Sequence, residues 1–497
     1  MKIPRTKALA LLAAITLGLP MTVQAQTQLV VAQSAEPVGL DAARNSLQAS
    51  LNVALNIQET LFTPLENGNV GPGLADSWKF SDGTTLRVKL KPGLTFHNGE
   101  PIDAEAVKYS FERLLNPVLK SPHAGRMEQI SSVKVIDPLT VEFKTNAPFA
   151  PILHLMSYYL TIVPPKATAA TDPDAFNRKP IGAGPYVVES WQRGGDVVLK
   201  AFDKYWAGKP AYDRVIIRAI PEESARVAAF VTGEVDIVEG MSVQSQRVIE
   251  KSGKGVLTDS MGVMPYIGLN TNKPPFNDQR VRQAVNFGID RASIKKALFN
   301  DRGLLTPGPI SPRTFGADLS LKPYAYDVAK AKQLLSDAGF PNGFDTTLSY
   351  PTNMTQIQEQ AQALAADLAK IGVRAKLQPL DRAIMFQKYK NREQDMYIYW
   401  WDDSPEPDRY MYSLFHSKSR DYYYKNADTD ALLDKGRSTL DRDSREKIYN
   451  QIDRKLYQEA PWVFLYVIPE TYAVSTKVSF NGRRDGIMYL RYAKPKN

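Results

Sequence analysis

The chain of 497 residues contains no cysteine and only four histidines. It therefore has neither disulfides nor a thiol nucleophile, and it offers no cysteine–histidine cluster for a transition metal. A Gly-x-Ser-x-Gly motif is absent as well, and nothing in the sequence points to a Ser–His–Asp triad. After Pro20 no apolar run approaches the ~20 residues that a membrane-spanning helix needs. Core burial must hold this protein together.

Clusters of like charge are also scarce. The formal net charge is +9, from 62 basic and 53 acidic residues, and Lys2, Arg5 and Lys7 supply three of the bases at the extreme N-terminus. Elsewhere bases and acids are interleaved, whereas a nucleic-acid-binding protein collects its bases on one stripe. We predict no nucleic-acid partner, and we also predict no cofactor.

The first 25 residues have the order of a secretory signal peptide. A basic start is followed by an apolar run over residues 8–19 and by small residues at Val23 and Ala25. We predict cleavage after Ala25, with residues 1–25 as the signal peptide. No cysteine is present to carry a lipid anchor, so the mature protein is expected in the periplasm, unattached to the membrane.

About 470 residues remain after cleavage, and a single core rarely grows past ~250–300 residues, so two or more lobes are expected. Strand and helix signals alternate along the chain, which favours α/β lobes with mixed sheets. The predicted strands include residues 29–32, 85–90, 132–135, 139–144 and 396–401. The predicted helices lie at residues 52–62, 103–115, 224–232, 278–287, 327–338, 355–371 and 444–459.

Several short motifs follow one another in a defined order. They are GLADSW (73–78), LTFHNGEP (94–101), PIGAGPY (180–186), GEVDI (233–237), GLNTN (268–272), VRQA (281–284), IDR (289–291) and WWDDSPEPD (400–408). Each one alone is weak. As an ordered set over nearly all of the mature chain, they resemble family five of the bacterial extracellular solute-binding proteins. That family contains the dipeptide-, oligopeptide- and nickel-binding components of ABC importers.

The resemblance implies a two-lobed periplasmic-binding-protein fold in which two hinge segments connect the lobes. We expect the first lobe to comprise residues 26–271 and 471–497, with an extra subdomain inserted at about residues 65–178. The second lobe is expected at residues 272–470. Such proteins close on their ligand, so affinity reports both the contacts and the closing equilibrium.

The predicted strand 396–401 leads to a candidate ligand site. Alternation places Tyr397, Tyr399 and Trp401 on one face, and Asp402 and Asp403 follow at the carboxyl end of the strand. Ligands of open α/β sheets bind outside the carboxyl ends of strands. From the residues alone, an ordinary solvated loop is the favoured interpretation of the acidic stretch 402–408.

The resemblance assigns a role to Asp403, because in peptide-binding relatives the matching aspartate holds the α-ammonium of the peptide. On the same basis Asp408 is expected to stabilise the loop. The ligand-binding residues that we predict are Asp403, Trp400, Trp401, Tyr399 and Arg382.

One departure from the dipeptide-binding pattern concerns the ligand's carboxylate. Those relatives carry an arginine where this chain has Gln358 and Glu359. Arg382 either supplies the missing cation or pairs with Asp381 at the surface. Ligand length and recognition of a free carboxylate therefore stay open, and longer peptides, glutathione-like tripeptides, opines and a chelated metal such as a nickel metallophore are alternatives.

A secreted hydrolase is the competing function from another class. Asp402 and Asp403 are the obvious acid pair, but adjacent residues of a strand point to opposite faces and suit acid–base catalysis poorly. His97 precedes the turn pair Asn98-Gly99 and is expected to be a turn residue with a satisfied side chain. We predict that the protein is not an enzyme. Its expected partners are a small peptide or peptide-like ligand and an inner-membrane ABC permease, and we expect a monomer.

Overall fold

The computed structural model describes residues 27–65, 67, 69–352, 356–419 and 423–496. The predicted signal peptide and its cleavage site lie outside these residues. In chain order the strands are β1 Gln28–Gln33, β2 Glu59–Thr60, β3 Phe62–Pro64, β4 Val70–Pro72, β5 Ala75–Asp82, β6 Thr85–Leu90, β7 Ile130–Asp137, β8 Thr140–Thr145, β9 Thr161–Ile162, β10 Tyr186–Ser190, β11 Val197–Ala201, β12 Arg214–Ala219, β13 Ile237–Val238, β14 Gly255–Leu269, β15 Leu304–Leu305, β16 Phe344–Pro351, β17 Val373–Leu380, β18 Met396–Asp402, β19 Trp462–Phe464, β20 Tyr466–Ser475, β21 Val478–Ser479 and β22 Lys494–Pro495.

The α-helices lie mostly between these strands. They are α1 Gln48–Ile57, α2 Ala104–Leu115, α3 Ile152–Tyr159, α4 Pro165–Ala169, α5 Pro173–Arg178, α6 Glu223–Thr232, α7 Val243–Ser252, α8 Gln279–Phe287, α9 Arg291–Phe299, α10 Val328–Asp337, α11 Ile357–Lys370, α12 Arg382–Lys390, α13 Asp408–Phe415, α14 Ala427–Ser438 and α15 Arg442–Glu459. In the part of the chain that is described, no helix combines the length and the apolar character required to cross a bilayer.

One large mixed sheet runs through the molecule in the strand order β10-β11-β12-β1-β13-β20-β14-β18-β16-β17. We call the β10–β13 side with β1 the first lobe and the side formed by β16–β19 the second lobe. In the first lobe β1 is parallel to β12 and β13. In the second lobe β16 is parallel to β17 and β18. The carboxyl ends of these parallel strands are the edges where ligands bind in α/β sheets.

The two long strands β14 and β20 connect the lobes. The first residues of β14, from Gly255 to Asp259, pair with the end of β20, whose other edge pairs with β13. The register then shifts between Asp259 and Gly262, and from Val263 onwards β14 also pairs with β18. A shift of register bends and twists a strand pair, so the crossing between the lobes coincides with a local irregularity.

A separate four-stranded antiparallel sheet, β5-β6-β8-β7, forms the centre of the inserted subdomain. Helix α2 packs on it, and the Asp103 side chain accepts a hydrogen bond from the Ala106 N–H at 2.9 Å, as an N-cap should. Leu86, Val88 and Phe143 are buried in the subdomain's own core. The helix and strands predicted here are confirmed.

The prediction of a helix over residues 52–62 is wrong in its second half. Helix α1 ends at Ile57, and Glu59 and Thr60 pair with β9 while Phe62–Pro64 pairs with β4. Helical spacing continues through this stretch, but strand partners distant in sequence decide its conformation. The predictions of helices at residues 224–232, 278–287, 327–338, 355–371 and 444–459 are confirmed to within a few residues.

Candidate functional site

Strand β18 has two faces of different character. Met396 and Ile398 join the aliphatic core of the second lobe, whereas Tyr397, Tyr399 and Trp401 pack against a second, aromatic core. The predicted alternation is therefore confirmed. The strand ends at Asp402, one residue later than the sequence predicted.

The aromatic side chains at the end of β18 stack on one another. The Tyr399 ring lies 4.8 Å from the Trp400 ring and 5.5 Å from the Tyr389 ring, in nearly parallel planes. Trp401 contacts Tyr410, and its buried Nε1 has no hydrogen-bond partner among the described residues. Tyr399, Trp400 and Trp401 all keep part of their surface exposed. They form an aromatic wall with one unused donor.

The carboxylates of Asp402 and Asp403 engage different arginines. Asp402 accepts a hydrogen bond from Arg409 Nη2 at 2.9 Å. Asp403 is 0% exposed and is bound by Arg313 Nη2, while Arg484 Nη2 lies 3.6 Å from its other oxygen. Successive residues of an extended segment point to opposite sides, which separates the two carboxylates. They do not form the facing acid pair of a glycosidase-type hydrolase.

The surroundings of Asp403 leave its carboxylate no open side. Thr314 Oγ1 donates to Oδ1 at 3.3 Å, and the Asp403 N–H donates to the Gly262 carbonyl at 2.7 Å. Gly262 is required at this point, because a Cβ there would come within 2.3 Å of Val467 Cγ1 and 2.9 Å of Arg313 Nη2. Asp403 thus lies against the crossing between the lobes, with its charge already met by the chain's own arginines.

The loop after Asp403 is anchored by two further ion pairs. Glu406 forms a bidentate pair with Arg445 at 2.8 and 2.6 Å. Burial disfavours the charged form of Glu406, but the attraction of Arg445 outweighs it and lowers the pKa of Glu406. Asp408 forms a bidentate pair with Arg437 of α14 at 3.0 and 2.9 Å. Buried and paired in this way, Asp408 holds the loop in place, and the acidic loop is not a solvated one.

Two further carboxylates lie near the crossing of the lobes. Glu239 follows β13 and accepts hydrogen bonds from the Ser34 N–H at 3.4 Å and Asn52 Nδ2 at 3.2 Å. Burial raises the pKa of Glu239 to about 7. Glu470 in β20 is exposed, yet burial and the charges of Glu239 and Asp402 raise its pKa to about 7. Glu239 and Asp402 are therefore near enough to Glu470 for their charges to act on it, beside the register shift where the lobes meet.

The subdomain contributes aromatic and histidine side chains that face Arg409. Burial would lower the pKa of Arg409, but its attraction to Tyr159, Asp402 and Tyr158 outweighs burial and raises that pKa. Two buried atoms here, Tyr158 Oη and Arg409 Nε, have no hydrogen-bond partner in the described part of the chain. A buried polar atom without a hydrogen-bond partner costs free energy of folding. A ligand that formed hydrogen bonds with these two atoms would recover that free energy.

Two histidines border the same group and stay neutral. Burial lowers the pKa of His154 to about 4, and it also lowers the pKa of His123. His123 Nε2 lies 2.8 Å from the Asn45 carbonyl, so the neutral ring carries its proton there and leaves Nδ1 as an acceptor. That Nδ1 atom has no partner among the described residues.

Arg382 lies apart from these groups. It is the first residue of α12, just past the carboxyl end of β17, and its side chain is exposed. Asp381 caps the helix by accepting the Ala383 N–H at 2.8 Å, and Arg382 makes no ion pair with any described residue. Gln358 and Glu359 line a separate open recess of about 370 Å³ at the ends of β16 and β17. The structure does not bring Arg382 into contact with Asp403 or the aromatic wall.

His97 has a structural role. Its Nε2 lies 2.9 Å from the Gly184 carbonyl, and its Nδ1 accepts the Gly182 N–H at 3.3 Å. The two glycines allow this turn to approach α1 closely, since a Cβ on Gly182 would lie 2.1 Å from the Ile57 carbonyl oxygen. His97 joins two turns of the chain, as predicted. Within the described residues, no three histidine, aspartate or glutamate side chains group as a metal site requires.

The sequence interpretation did not single out Arg313, Arg409, Arg484, Glu239 or Glu470. These residues lie in or beside loops, strand ends or the start of a helix, and none of them belongs to a periodic pattern. Arg409 had one usable signal, because it follows the acidic loop directly. The others are brought together only by the packing of the two lobes.

Comparison with known proteins shows the family to which the chain belongs. The sequence profile described as "Bacterial extracellular solute-binding proteins, family 5 Middle" matches residues 69–422. This chain belongs to family 5 of the bacterial extracellular solute-binding proteins. The resemblance inferred from the motifs is thereby confirmed. Family 5 is a family of binding proteins, which agrees with the prediction that the chain is not an enzyme.

Individual relatives cover most of the chain. The glutathione-binding protein GsiB of Pectobacterium atrosepticum is 30% identical over 407 residues, which are 79% of either chain. The structure of HbpA2 from Haemophilus parasuis has a TM-score of 0.87 at 25% identity, over 95% of this chain and 100% of that one. The periplasmic binding protein DppA of Helicobacter pylori, in complex with the peptide STSA, has a TM-score of 0.77 at 26% identity, over 95% and 99%. These similarities confirm the two-lobed α/β fold of the family 5 proteins.

Proposed function

We propose that this family 5 protein captures a peptide or peptide-like solute in the periplasm and delivers it to an ABC permease in the inner membrane. One relative is a glutathione-binding protein, and another is seen in complex with a tetrapeptide. Both ligands carry an amine and a carboxylate on a flexible backbone. We further propose that the protein acts as a monomer, without a cofactor, after cleavage of its signal peptide behind Ala25.

This ligand class is supported by three carboxylates, Glu239, Glu470 and Asp402. The charges of Glu239 and Asp402 act on Glu470 near the crossing of the lobes, and we place the ligand recess there. Burial raises the pKa of both Glu239 and Glu470 to about 7, and the charges of Glu239 and Asp402 add to the shift of Glu470. A ligand ammonium in this recess would restore the lost solvation and cancel the repulsion. The aromatic side chains Tyr399, Trp400 and Trp401 would cover the rest of such a ligand, as the sequence predicted.

Closure would use the two long strands as hinges. We place the hinge at the register shift between Asp259 and Gly262 in β14 and at the facing residues Pro469 and Thr471 in β20. The lobe boundaries expected from the sequence, at residues 271/272 and 470/471, stay predictions, as do the limits 65–178 of the subdomain. Few hydrogen bonds need to change at an existing irregularity, which suits it to absorb a rotation.

Calorimetric titration with glutathione and with the peptide Ser-Thr-Ser-Ala tests the ligand class. We expect at least one of them to bind, and Glu470→Gln to weaken that binding about tenfold, since a hydrogen bond to a charged group is worth ~1.5–3 kcal/mol. Glu234→Gln, an exposed glutamate of the first lobe, is the matched control and should leave affinity unchanged. Native mass spectrometry of the periplasmic protein adds an independent view, and a co-purified ligand without an amine would contradict the proposal.

A further inference from the structure

The turn after α9 has a strained backbone. Asn300 (φ 53°) and Asp301 (φ 62°) both lie in the left-handed region, which residues with a side chain seldom adopt, and Gly303 follows with φ 85°. Lys295 binds both the carbonyl and the carboxylate of Asp301 and so holds the turn in this conformation. Strain of this kind persists only where the surrounding contacts maintain it. We call residues 300–303 the hinge turn.

The hinge turn belongs to the second lobe. Ile294 and Phe299 of α9 pack in the aliphatic core of that lobe. Leu304 of β15 pairs with Val467 in β20. Gly303 lies so close to β20 that a Cβ at this position would come within 2.0 Å of the Val467 carbonyl oxygen. The hinge turn is therefore fixed to the part of β20 that precedes the proposed hinge.

Two side chains of the hinge turn reach across the hinge. Arg302 Nη2 binds Oδ1 of Asp259 in β14, and the same oxygen accepts a hydrogen bond from Thr471 Oγ1 at 3.2 Å. Asn300 Oδ1 accepts a hydrogen bond from Arg247 Nη2 at 2.8 Å. Arg247 belongs to α7, which lies in the first lobe between β13 and β14. One turn thus ties the second lobe to β14 at the hinge and to α7 beyond it.

These contacts lie on the opposite face of β20 from Glu470. Successive side chains of a strand alternate between its two faces, so Thr471, which binds Asp259, points away from the face of Glu470. The charges of Glu239 and Asp402 act on Glu470 at the face where we place the ligand recess. A rotation that closes the lobes on that face separates groups on the other one. The contacts of the hinge turn would therefore weaken or break as the lobes close.

We propose that Arg302 is a positioning residue that limits ligand affinity from outside the ligand site, because its ion pair with Asp259 opposes closure of the lobes. This inference rests on the proposed function and extends it, since it concerns how tightly the same recess holds its ligand. The ion pair, assisted by the hydrogen bond between Arg247 and Asn300, stabilises the more open arrangement of the lobes. Apparent affinity falls with the fraction of molecules that are competent to bind, so the ion pair lowers it for every ligand alike.

Removal of the ion pair tests its effect on affinity. Arg302→Gln and Asp259→Asn should each tighten the binding of glutathione, Ser-Thr-Ser-Ala and Ser-Thr-Ser about threefold in calorimetric titrations, as expected for loss of a partly exposed ion pair. The factor should be the same for every ligand of this set that binds, because neither residue contacts the ligand. The double variant should bind no more tightly than either single variant, since both substitutions break the same pair.

A measurement without ligand separates this inference from the proposed function. The chain has no cysteine, so Glu234→Cys in the first lobe and Lys376→Cys in the second can carry a pair of dyes at defined positions. Single-molecule energy transfer then reports the distribution of distances between the lobes. Arg302→Gln should shift this distribution in the ligand-free protein, towards that of the ligand-bound wild type. Arg374→Gln, which breaks an ion pair within the second lobe, is the matched control and should match the wild type in both experiments.

The contrary results can be told apart. Unchanged or weaker binding by Arg302→Gln, or a tightening that differs from one ligand to the next, overturns the role of the hinge turn and leaves the proposed function intact. An unchanged distance distribution in ligand-free Arg302→Gln overturns that role as well. If none of the three ligands binds, the proposed function fails, and the distance distribution alone then decides whether Arg302 restrains the lobes.

Discussion

Desolvation sets the chemistry of individual carboxylates in this protein. Glu239 keeps only weak hydrogen bonds of 3.2 and 3.4 Å, and burial raises its pKa to about 7. Glu406 is buried as well, but the bidentate contact with Arg445 lowers its pKa. The same residue type thus differs in charge state according to its partner. Glu406 belongs to a structural ion pair, whereas Glu239 forms no ion pair with the described residues, although the charge of Arg226 acts on it.

The raised pKa of Glu239 has a consequence for stability. A carboxyl whose folded pKa lies above its unfolded value contributes full stability below the unfolded pKa, and loses it as pH rises through the folded pKa. The loss falls between about pH 4.5 and pH 8 and amounts to ~3 kcal/mol at most for a shift of this size. His97 and His154 act in the opposite direction, because burial lowers the pKa of each to about 4. A comparison of variants cancels the histidine contribution.

We therefore predict that Glu239→Gln raises the melting temperature of the ligand-free protein at pH 8, by roughly 2–4 °C. Glutamine carries no charge to desolvate, so the difference from wild type should shrink towards zero at pH 5. Differential scanning fluorimetry between pH 5 and pH 8 measures it, with Glu234→Gln as the control. A difference of the same size at both pH values would show that the carboxylate is not the cause.

Among elements, the short loop between β18 and α13 depends on helices far along the chain. Glu406 is bound by Arg445 of α15, and Asp408 by Arg437 of α14 and by Tyr449 Oη at 3.3 Å. Prolines at positions 405 and 407 restrict the backbone between these anchors. The loop that carries Asp403 is therefore anchored by contacts within the chain itself.

We predict that Glu406→Gln destabilises the protein by ~3–5 kcal/mol, because it leaves the guanidinium of Arg445 buried without a counter-charge. The double variant Glu406→Leu with Arg445→Met should recover much of this loss, since neither charge then remains to be desolvated. Urea denaturation followed by circular dichroism gives the free energies of unfolding. Asp428→Asn, which breaks the exposed pair with Lys455, serves as the control and should cost less than ~1 kcal/mol. A similar cost for Glu406→Gln and Asp428→Asn would contradict the structural role of the buried pair.

At the scale of the whole molecule, the inserted subdomain contacts the second lobe directly. In the conformation described, the Ala150 N–H of the subdomain donates to the Arg437 carbonyl at 2.8 Å, and Arg442 donates to the Asn67 carbonyl at 3.1 Å. The Arg437 guanidinium lies 5.7 Å from the Phe149 ring centre. These few polar contacts between subdomain and second lobe are small enough to form and break when the lobes move.

We predict that ligand makes the molecule more compact and raises its melting temperature. A ligand that binds only the folded protein, present at 100 times its dissociation constant, adds ~2.7 kcal/mol by mass action. Small-angle scattering with and without saturating glutathione or Ser-Thr-Ser-Ala reports the change in dimensions. Phe149→Ala should shift the free protein towards larger dimensions. Identical scattering in the presence and absence of a ligand that calorimetry shows to bind would rule out closure.

The features that the sequence by itself determined are local patterns and the order of motifs along the chain. The family follows from short motifs in a fixed order, the α/β class from alternating periodicities, and the end of β18 from a run of aromatic residues followed by two aspartates. These signals can be detected in the sequence alone, because the spacing of apolar residues in helices and strands depends only on neighbouring positions. Where that spacing conflicted with distant strand pairing, after Ile57, the local signal failed.

The tertiary structure alone decided which charges meet. Asp403 could be named from the sequence, but its two arginines lie in separate segments that only the packing of both lobes brings together. Likewise nothing near Glu239 or Glu470 in the sequence marks them as desolvated, because desolvation depends on all atoms nearby, whatever their position in the chain. The surrounding residues decide whether a carboxylate is available to bind a ligand or is already paired with an arginine of the chain. Those surroundings exist only in the folded protein.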